Sequence, residues 1–459
     1  MTKGEHEQET EPFQTGQERC HETTTETFSD LDTGWAWAVL FASFGTFCVL
    51  GAKIYAVGII HTALLQRYGE SVYMTSWAGA LHTALFGFGG PVSSVVIDKY
   101  SCRTALILSG ILFVIGYIGT AFAETIEVAI FTCGIIAGTG GALGYTTAMV
   151  VVSFNFKRRR SLALGIAVSG VGAGVFILSP LMQLSRDYYG PVGFFIILAA
   201  MAANIITFGA ICFPSKMEIH TQRQREIESR KSRGEKSRCT NLKLYFHVLC
   251  NKAVLCLCGC ILCYCLGTNL MYQYLPSYVV SKGFTALEAA FLVSLSGILS
   301  VIGRLLTGIV ANLNRLNVIY LFSGSIGIVS IACFIYPFMS THFAGHVIFV
   351  VLFGLFFGSC YVLLTDVTLQ FVGIHYISAA IGLQFFFGGF GSIIGPVLAG
   401  FLVDVSGAYK QAILIAASCI LFSALSSAVT VFCDRKNDSM LHKDKTITVT
   451  DIQLEGNMV

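Results

Sequence analysis

Three ionisable side chains lie inside long apolar stretches of this 459-residue sequence. Lys53 sits in "FASFGTFCVLGAKIYAVGII" (41–60), Arg304 in "SVIGRLLTG" (300–308) and Asp366 in "VLLTDVTLQFVG" (362–373). A charge in such a run costs roughly 2.5–3.5 kcal/mol on membrane-insertion scales, so each must face a cavity, a partner or the edge of the apolar layer. A guanidinium offers a planar fork to a carboxylate. Arg304 therefore reads as a ligand for an organic anion or as the structural ion-pair partner of Asp366. Asp366 is the candidate carrier of a coupling proton. In "GTNLMYQYLPSY" (267–278), Asn269 and Gln273 are four residues apart and share a helix face, with Tyr272 beside them. Tyr361 and Thr365 share a face by the same spacing. His82 reads as a packed histidine or as a proton relay.

Other chemistries find little support. The sequence has no GxxxxGK[ST] phosphate loop, which argues against an ATP-driven pump, and no HExxH or GxSxG, so no enzyme is expected. Gly170-x-Gly172-x-Gly174 resembles part of a nucleotide loop, but no strand precedes it. The bland reading, close packing of helices through small residues, is preferred. Of 16 cysteines, most lie in apolar runs such as "LCLCGCILCYC" (255–265), where reduced packing thiols are expected and no metal site. No cofactor and no nucleic acid are implied.

The elements that hold these residues are apolar. The chain is 54% hydrophobic and only 12% charged, about half the charge of an ordinary soluble protein. Its mean hydropathy is +0.71. Twelve apolar segments follow one another at about 36–63, 75–97, 104–123, 127–153, 162–184, 192–213, 249–275, 288–311, 317–338, 344–371, 378–403 and 410–433. Each is long enough to span a bilayer as a helix. The expected fold is an all-α membrane protein with two six-helix halves. The expected divisions are an acidic disordered tail (1–34), a first bundle (35–213), a basic linker (214–247), a second bundle (248–433) and a polar tail (434–459). Residues 1–34 hold no apolar run and predict no cleavable signal peptide.

Cations set the expected orientation. They gather in the link with Lys99 and Arg103, in "KRRRS" (157–161), in the central linker and in the final tail. The opposite links carry about one each: Arg67, Arg186, Lys282 and Lys410. Both tails and the linker are therefore expected in the cytoplasm. The linker reads as a solvated topogenic segment rather than a lipid-binding one. Two halves around such a linker suggest a secondary transporter with a midplane site. In "SVVIDKYSCR" (94–103), the helix-end carboxylate Asp98, with Lys99 and Arg103, has the form of a gating loop that latches one access state.

Two stretches then carry a family resemblance. "DTGWAWAVLFASF" (32–44), with Asp32, Gly34, Trp35 and Trp37, resembles the opening of helix 1 in the monocarboxylate transporter family of the major facilitator superfamily. "NFKRRRSLALGIAVSG" (155–170) resembles that family's second signature, at the start of helix 5. The resemblance covers about 32–214 and 245–433. It implies a plasma-membrane carrier of a small organic anion or zwitterion. It leaves open a coupling proton and a single-span immunoglobulin-like ancillary partner. In the proton-coupled lactate branch, helix 1 carries a lysine, helix 8 an aspartate four residues before an arginine, and helix 10 a phenylalanine. Those positions fall here on Tyr55, on Ser300 with Arg304 retained, and on Thr365. This reads as a divergent branch.

The leading expectation is alternating-access transport of a small carboxylate-bearing or zwitterionic solute. The alternative is a solute sensor without significant flux. Arg304 would take the carboxylate, with Tyr55, Asn269, Thr365 and Tyr361 shaping selectivity. Lys53 lies 16 residues beyond Trp37, about 24 Å along a helix. It is expected to snorkel to the outer vestibule, with direct solute contact as the alternative.

Overall fold

The computed structural model describes residues 30–430, apart from 56, 71, 232–244, 247, 314–315 and 407–408. Span 1 comprises α1 (Ala36–Tyr55) and α2 (Val57–Tyr68). Span 2 comprises α3 (Val72–Phe88) and α4 (Gly90–Lys99), and span 3 is α5 (Cys102–Phe122). Span 4 runs through α6 (Ile126–Ala129), a π-helical stretch (Ile130–Ile136) and α7 (Ala137–Asn155). Spans 5 and 6 form one long element, α8 (Arg160–Ile211), broken at Gly190 with φ +65°. The linker opens with α9 (Lys216–Lys231).

In the second half, α10 (Lys252–Ser281), α11 (Ala286–Asn312) and α12 (Val318–Met339) are spans 7 to 9. Span 10 is α13 (Phe343–Phe357) followed by α14 (Ser359–Val372). Span 11 is α15 (Ile377–Ser406), and span 12 is α16 (Tyr409–Thr430). Among the described residues, 11 helices are long and apolar enough to cross a membrane, and a twelfth span is the bent pair Trp77–Phe88 and Gly90–Lys99. The all-helical, twelve-span expectation therefore holds.

Local chemistry sets where helices start and bend. Ser101, Asn251 and Asn317 accept backbone N–H groups at the starts of α5, α10 and α12, and Thr285 with Glu288 forms a capping box on α11. Each such cap satisfies an orphan donor of the first turn. Span 2 bends by 51° at Gly89–Gly90. There Pro91 lacks the N–H that a continuous helix would need. Span 1 runs further than its apolar run predicts, to Tyr68. Arg67, expected in a link, instead donates to the Thr120, Ala121 and Ala123 carbonyls at 2.7–3.1 Å and closes the end of α5.

Two seams join the halves: α11 packs on α8, and α15 packs on α3 and α4. Large apolar side chains such as Phe41, Ile115, Phe131 and Ile331 face outward, as lipid-facing surfaces require. Most of the described cysteines are buried or half-buried as small packing side chains, with Cys260 Sγ 3.1 Å from Ser423 Oγ.

The two signature stretches meet in space. Asp32, at φ +58°, accepts the backbone N–H groups of Lys157, Arg158 and Arg159 at 3.1, 2.8 and 2.8 Å. The acidic residue of the first motif thus organises the basic loop of the second.

Candidate functional site

A cavity of about 580 Å³ lies between the halves. Spans 2, 4 and 5 form one wall, and spans 7, 8, 10 and 11 the other. It reaches Gln273 and Pro276, towards the end of α10 remote from the linker, where Gln273 and Thr83 are exposed. At the linker end the halves close on each other.

Among the described residues that line the cavity, Arg304 supplies the only fixed charge and there is no carboxylate. Its side chain is 4% exposed and its Nε has no hydrogen-bond partner. The ion pair with Asp366, the alternative to solute contact, is not formed. The break in span 10 explains how a guanidinium fits here: α13 ends and α14 begins around Gly358, and a β-carbon there would stand 2.5 Å from Arg304 Cγ and 2.6 Å from Nε. One turn before Arg304, the Ser300 hydroxyl is also buried without a partner.

Aromatic rings and amides form the rest. Tyr272, Phe357 and Tyr361 pack edge to face at 4.9–6.0 Å between centroids, and Tyr145 joins Phe86 and Phe385 at 5.1–5.2 Å. Asn269 Nδ2 donates to the Cys265 carbonyl at 2.8 Å and to Ser392 Oγ at 3.2 Å. Both amide protons are thereby engaged, and the amide oxygen remains as an acceptor. His82 borders the cavity and its Nδ1 donates to the Cys133 carbonyl at 3.2 Å. A carbonyl only accepts, so Nδ1 carries a proton and is turned away from the cavity by this bond. Arg304, Asn269, Gln273, Tyr361 and His82 are thus brought together.

Other predicted residues lie elsewhere. Lys53 does not snorkel. It is 1% exposed, with Nζ 3.8 Å from the Phe113 ring centroid and 4.7 Å from that of Tyr117, and it has no hydrogen-bond partner. The reason is helix rotation: its face of α1 turns into the bundle, where two aromatic faces replace water around the ammonium. It does not line the cavity. The Tyr55 side chain lies outside the described residues. Thr365 is fully buried, with Oγ1 4.0 Å from Met149 Sδ, and is not a cavity wall. Asp366 sits in the seam between halves, where it accepts a hydrogen bond from Ser161 Oγ.

Asp98 is engaged by a cation from a neighbouring helix, and Lys99 and Arg103 of its own loop pack elsewhere. Lys99 lies over its neighbour Tyr100, with Nζ 5.2 Å from the ring centroid, and Arg103 packs on Phe213 at 4.3 Å. Asp98 Oδ1 instead accepts from Arg225 of α9 at 2.5 Å and from Ser378 Oγ. The linker helix is anchored by Glu218, which accepts the Cys102 N–H at 2.8 Å. Burial pushes the Glu218 carboxyl up, against the opposing pull of that N–H and of Arg225. Arg225 and Ser161 escape sequence reading because their partners are remote in the chain.

The Major Facilitator Superfamily model matches residues 42–396. Monocarboxylate transporter 4 of Gallus gallus is 30% identical over 424 residues, covering 90% of this chain and 86% of the relative. The chain belongs to the monocarboxylate transporter family of that superfamily. Monocarboxylate transporter 12-B of Danio rerio is 28% identical over 450 residues, covering 92% and 94%. Among solved structures, the transporter FucP in the outward conformation has a TM-score of 0.64 at 16% identity, covering 86% of this chain and 98% of that one. The fold of this monocarboxylate transporter family member is thus that of a membrane transporter of small solutes, and its relatives are transporters rather than enzymes.

Proposed function

We propose that the protein carries a small carboxylate-bearing organic solute across the plasma membrane by alternating access, with both tails and the linker in the cytoplasm. The observation that carries this reading is Arg304: a buried guanidinium in a cavity wall, with no carboxylate among the described lining residues and an unpartnered Nε. An unpaired buried charge is costly, and a solute carboxylate removes that cost. Asn269 and Gln273 offer hydrogen-bonding groups to the other end of the solute, and Tyr272 and Tyr361 a flat wall. The names of the relatives support a monocarboxylate. FucP is described as a fucose:proton symporter, which supports a proton as partner ion. Asp366, held in the seam by Ser161, is the residue assigned to that proton. The conformation described has its cavity reaching towards the outer side.

The test is uptake into proteoliposomes of lactate, creatine, carnitine and an aromatic amino acid, at pH 6 and 7.5, with and without sodium. At least one should be taken up by the wild type and lost in Arg304→Gln. Binding without flux would replace this reading with that of a sensor.

A further inference from the structure

The linker does more than join the halves. α9 is fixed to the first half along one face: Ser215 Oγ donates to the Phe154 carbonyl at 2.8 Å, Glu218 accepts from Cys102 N–H, and Gln222 Nε2 donates to the Tyr100 carbonyl at 3.3 Å. Residues 218, 222 and 225 recur at helical spacing, so they share that face. At its end, the Arg225 guanidinium spreads over both halves. Nη1 holds Asp98 of span 2, and Nη2 donates to the His375 carbonyl, in the turn before span 11. Ser378, in the first turn of α15, donates to the same Asp98 oxygen. Further along the linker, Tyr245 donates to the Pro91 carbonyl at 2.7 Å and contacts Ser94 Oγ, both in α4.

We propose that α9 is a third body of the transport gate, and that Arg225 is a bolt carried by the linker that holds the linker-side gate shut by joining Asp98 to the His375–Ser378 corner. A planar fork suits a bolt of this kind, because one edge takes a carboxylate and the other a carbonyl, which a lysine cannot do at once. When the halves rock apart at this end, Arg225 must let go of one side. The docking of the linker helix therefore sets how often the linker side opens. A single seam contact such as Ser161–Asp366 couples two spans, whereas Arg225 couples a segment that is neither half.

The proposal rests on alternating access, and one native thiol tests both. Cys265 lines the cavity. Full-length protein in oriented vesicles is treated with a membrane-impermeant maleimide from either side, and Cys265 labelling is measured by peptide mass spectrometry. Wild-type Cys265 should label mainly from the side opposite the linker and detectably from the linker side. Labelling from one side alone under all conditions overturns alternating access, and the bolt with it. Given labelling from both sides, Arg225→Gln should raise the linker-side rate about tenfold or more and lower the opposite one, as expected when both charge-assisted hydrogen bonds of the guanidinium are lost or weakened. Asp98→Asn should do the same, and the double variant should add little. Arg225→Lys should restore part of the ratio. An unchanged labelling ratio in folded Arg225→Gln overturns the bolt while leaving alternating access standing. If Arg225→Gln does not fold, Ser378→Ala serves in its place: it removes one donor to Asp98 and should shift the ratio in the same direction, and an unchanged ratio again overturns the bolt.

Discussion

Arg304 occupies the space that a side chain on Gly358 would need. A β-carbon at Gly358 would meet Arg304 Cγ at 2.5 Å, Nε at 2.6 Å and Cδ at 3.0 Å. The break in span 10 and the guanidinium of span 8 are thus one arrangement. Gly358→Ala should push Arg304 out of position and raise the KM for the solute about tenfold or more, with the protein still folded. A tenfold change corresponds to about 1.4 kcal/mol, within the worth of a charge-assisted hydrogen bond. Uptake kinetics beside size-exclusion monodispersity check it; an unchanged KM would count against Arg304 as the solute's anchor.

Arg304→Lys keeps the charge but loses the planar fork. It should retain measurable uptake with KM raised about tenfold, whereas Arg304→Gln should lose most uptake. Equal kinetics for Arg304→Lys and wild type would mean that charge alone, not geometry, holds the solute.

Lys53 is an unpaired buried ammonium against Phe113 and Tyr117. Lys53→Met keeps length and fills the same space without a charge to desolvate. The cation–π contact it loses is smaller than the desolvation it avoids. The melting temperature should rise by about 2 °C in detergent. A fall of several degrees would show that the ammonium has a stabilising partner.

Asp32 accepts three backbone N–H groups at the start of span 5. Asp32→Ala should lower stability by about 2 kcal/mol, at the upper end for a lost helix cap, and Asp32→Asn by less because one acceptor oxygen remains. Thermal unfolding of the two variants reads this directly.

Asp366 is the residue proposed to carry the coupling proton. Asp366→Asn preserves an oxygen for the Ser161 hydroxyl but cannot titrate. Uptake by the wild type should be faster at pH 6 than at pH 7.5, and uptake by this variant should be equal at the two. A variant that keeps the wild-type ratio would remove Asp366 from the coupling step.

The spans are legible in the sequence because a 20-residue apolar run has few alternatives to a membrane helix. So is the family, from Asp32, Trp35, Trp37 and the "KRRR" loop. The depth of Arg304 and the shared face of Asn269 and Gln273 follow from helical spacing. What one sequence does not carry is rotation and distant pairing. Spacing does not show which side of α1 carries Lys53, because an apolar run gives length without a facing direction. Asp98 is marked by its loop, yet its cation comes from Arg225, 127 residues away, in a linker that composition describes only as basic. Gly358 looks like one small residue among 47 glycines; only the neighbouring guanidinium shows why it is there.

The charge of the cavity has an electrical consequence. Under the proposed proton coupling, the empty carrier bears the Arg304 cation and an ionised Asp366, and the loaded carrier bears Arg304 with the solute's carboxylate and a protonated Asp366. Neither form then moves a net charge through the membrane field. A potential of 100 mV acts on a full elementary charge with about 2.3 kcal/mol. Net uptake and exchange of solute for solute should therefore both be indifferent to the membrane potential, whereas Asp366→Asn, which leaves Arg304 uncompensated in the empty carrier, should make net uptake follow it.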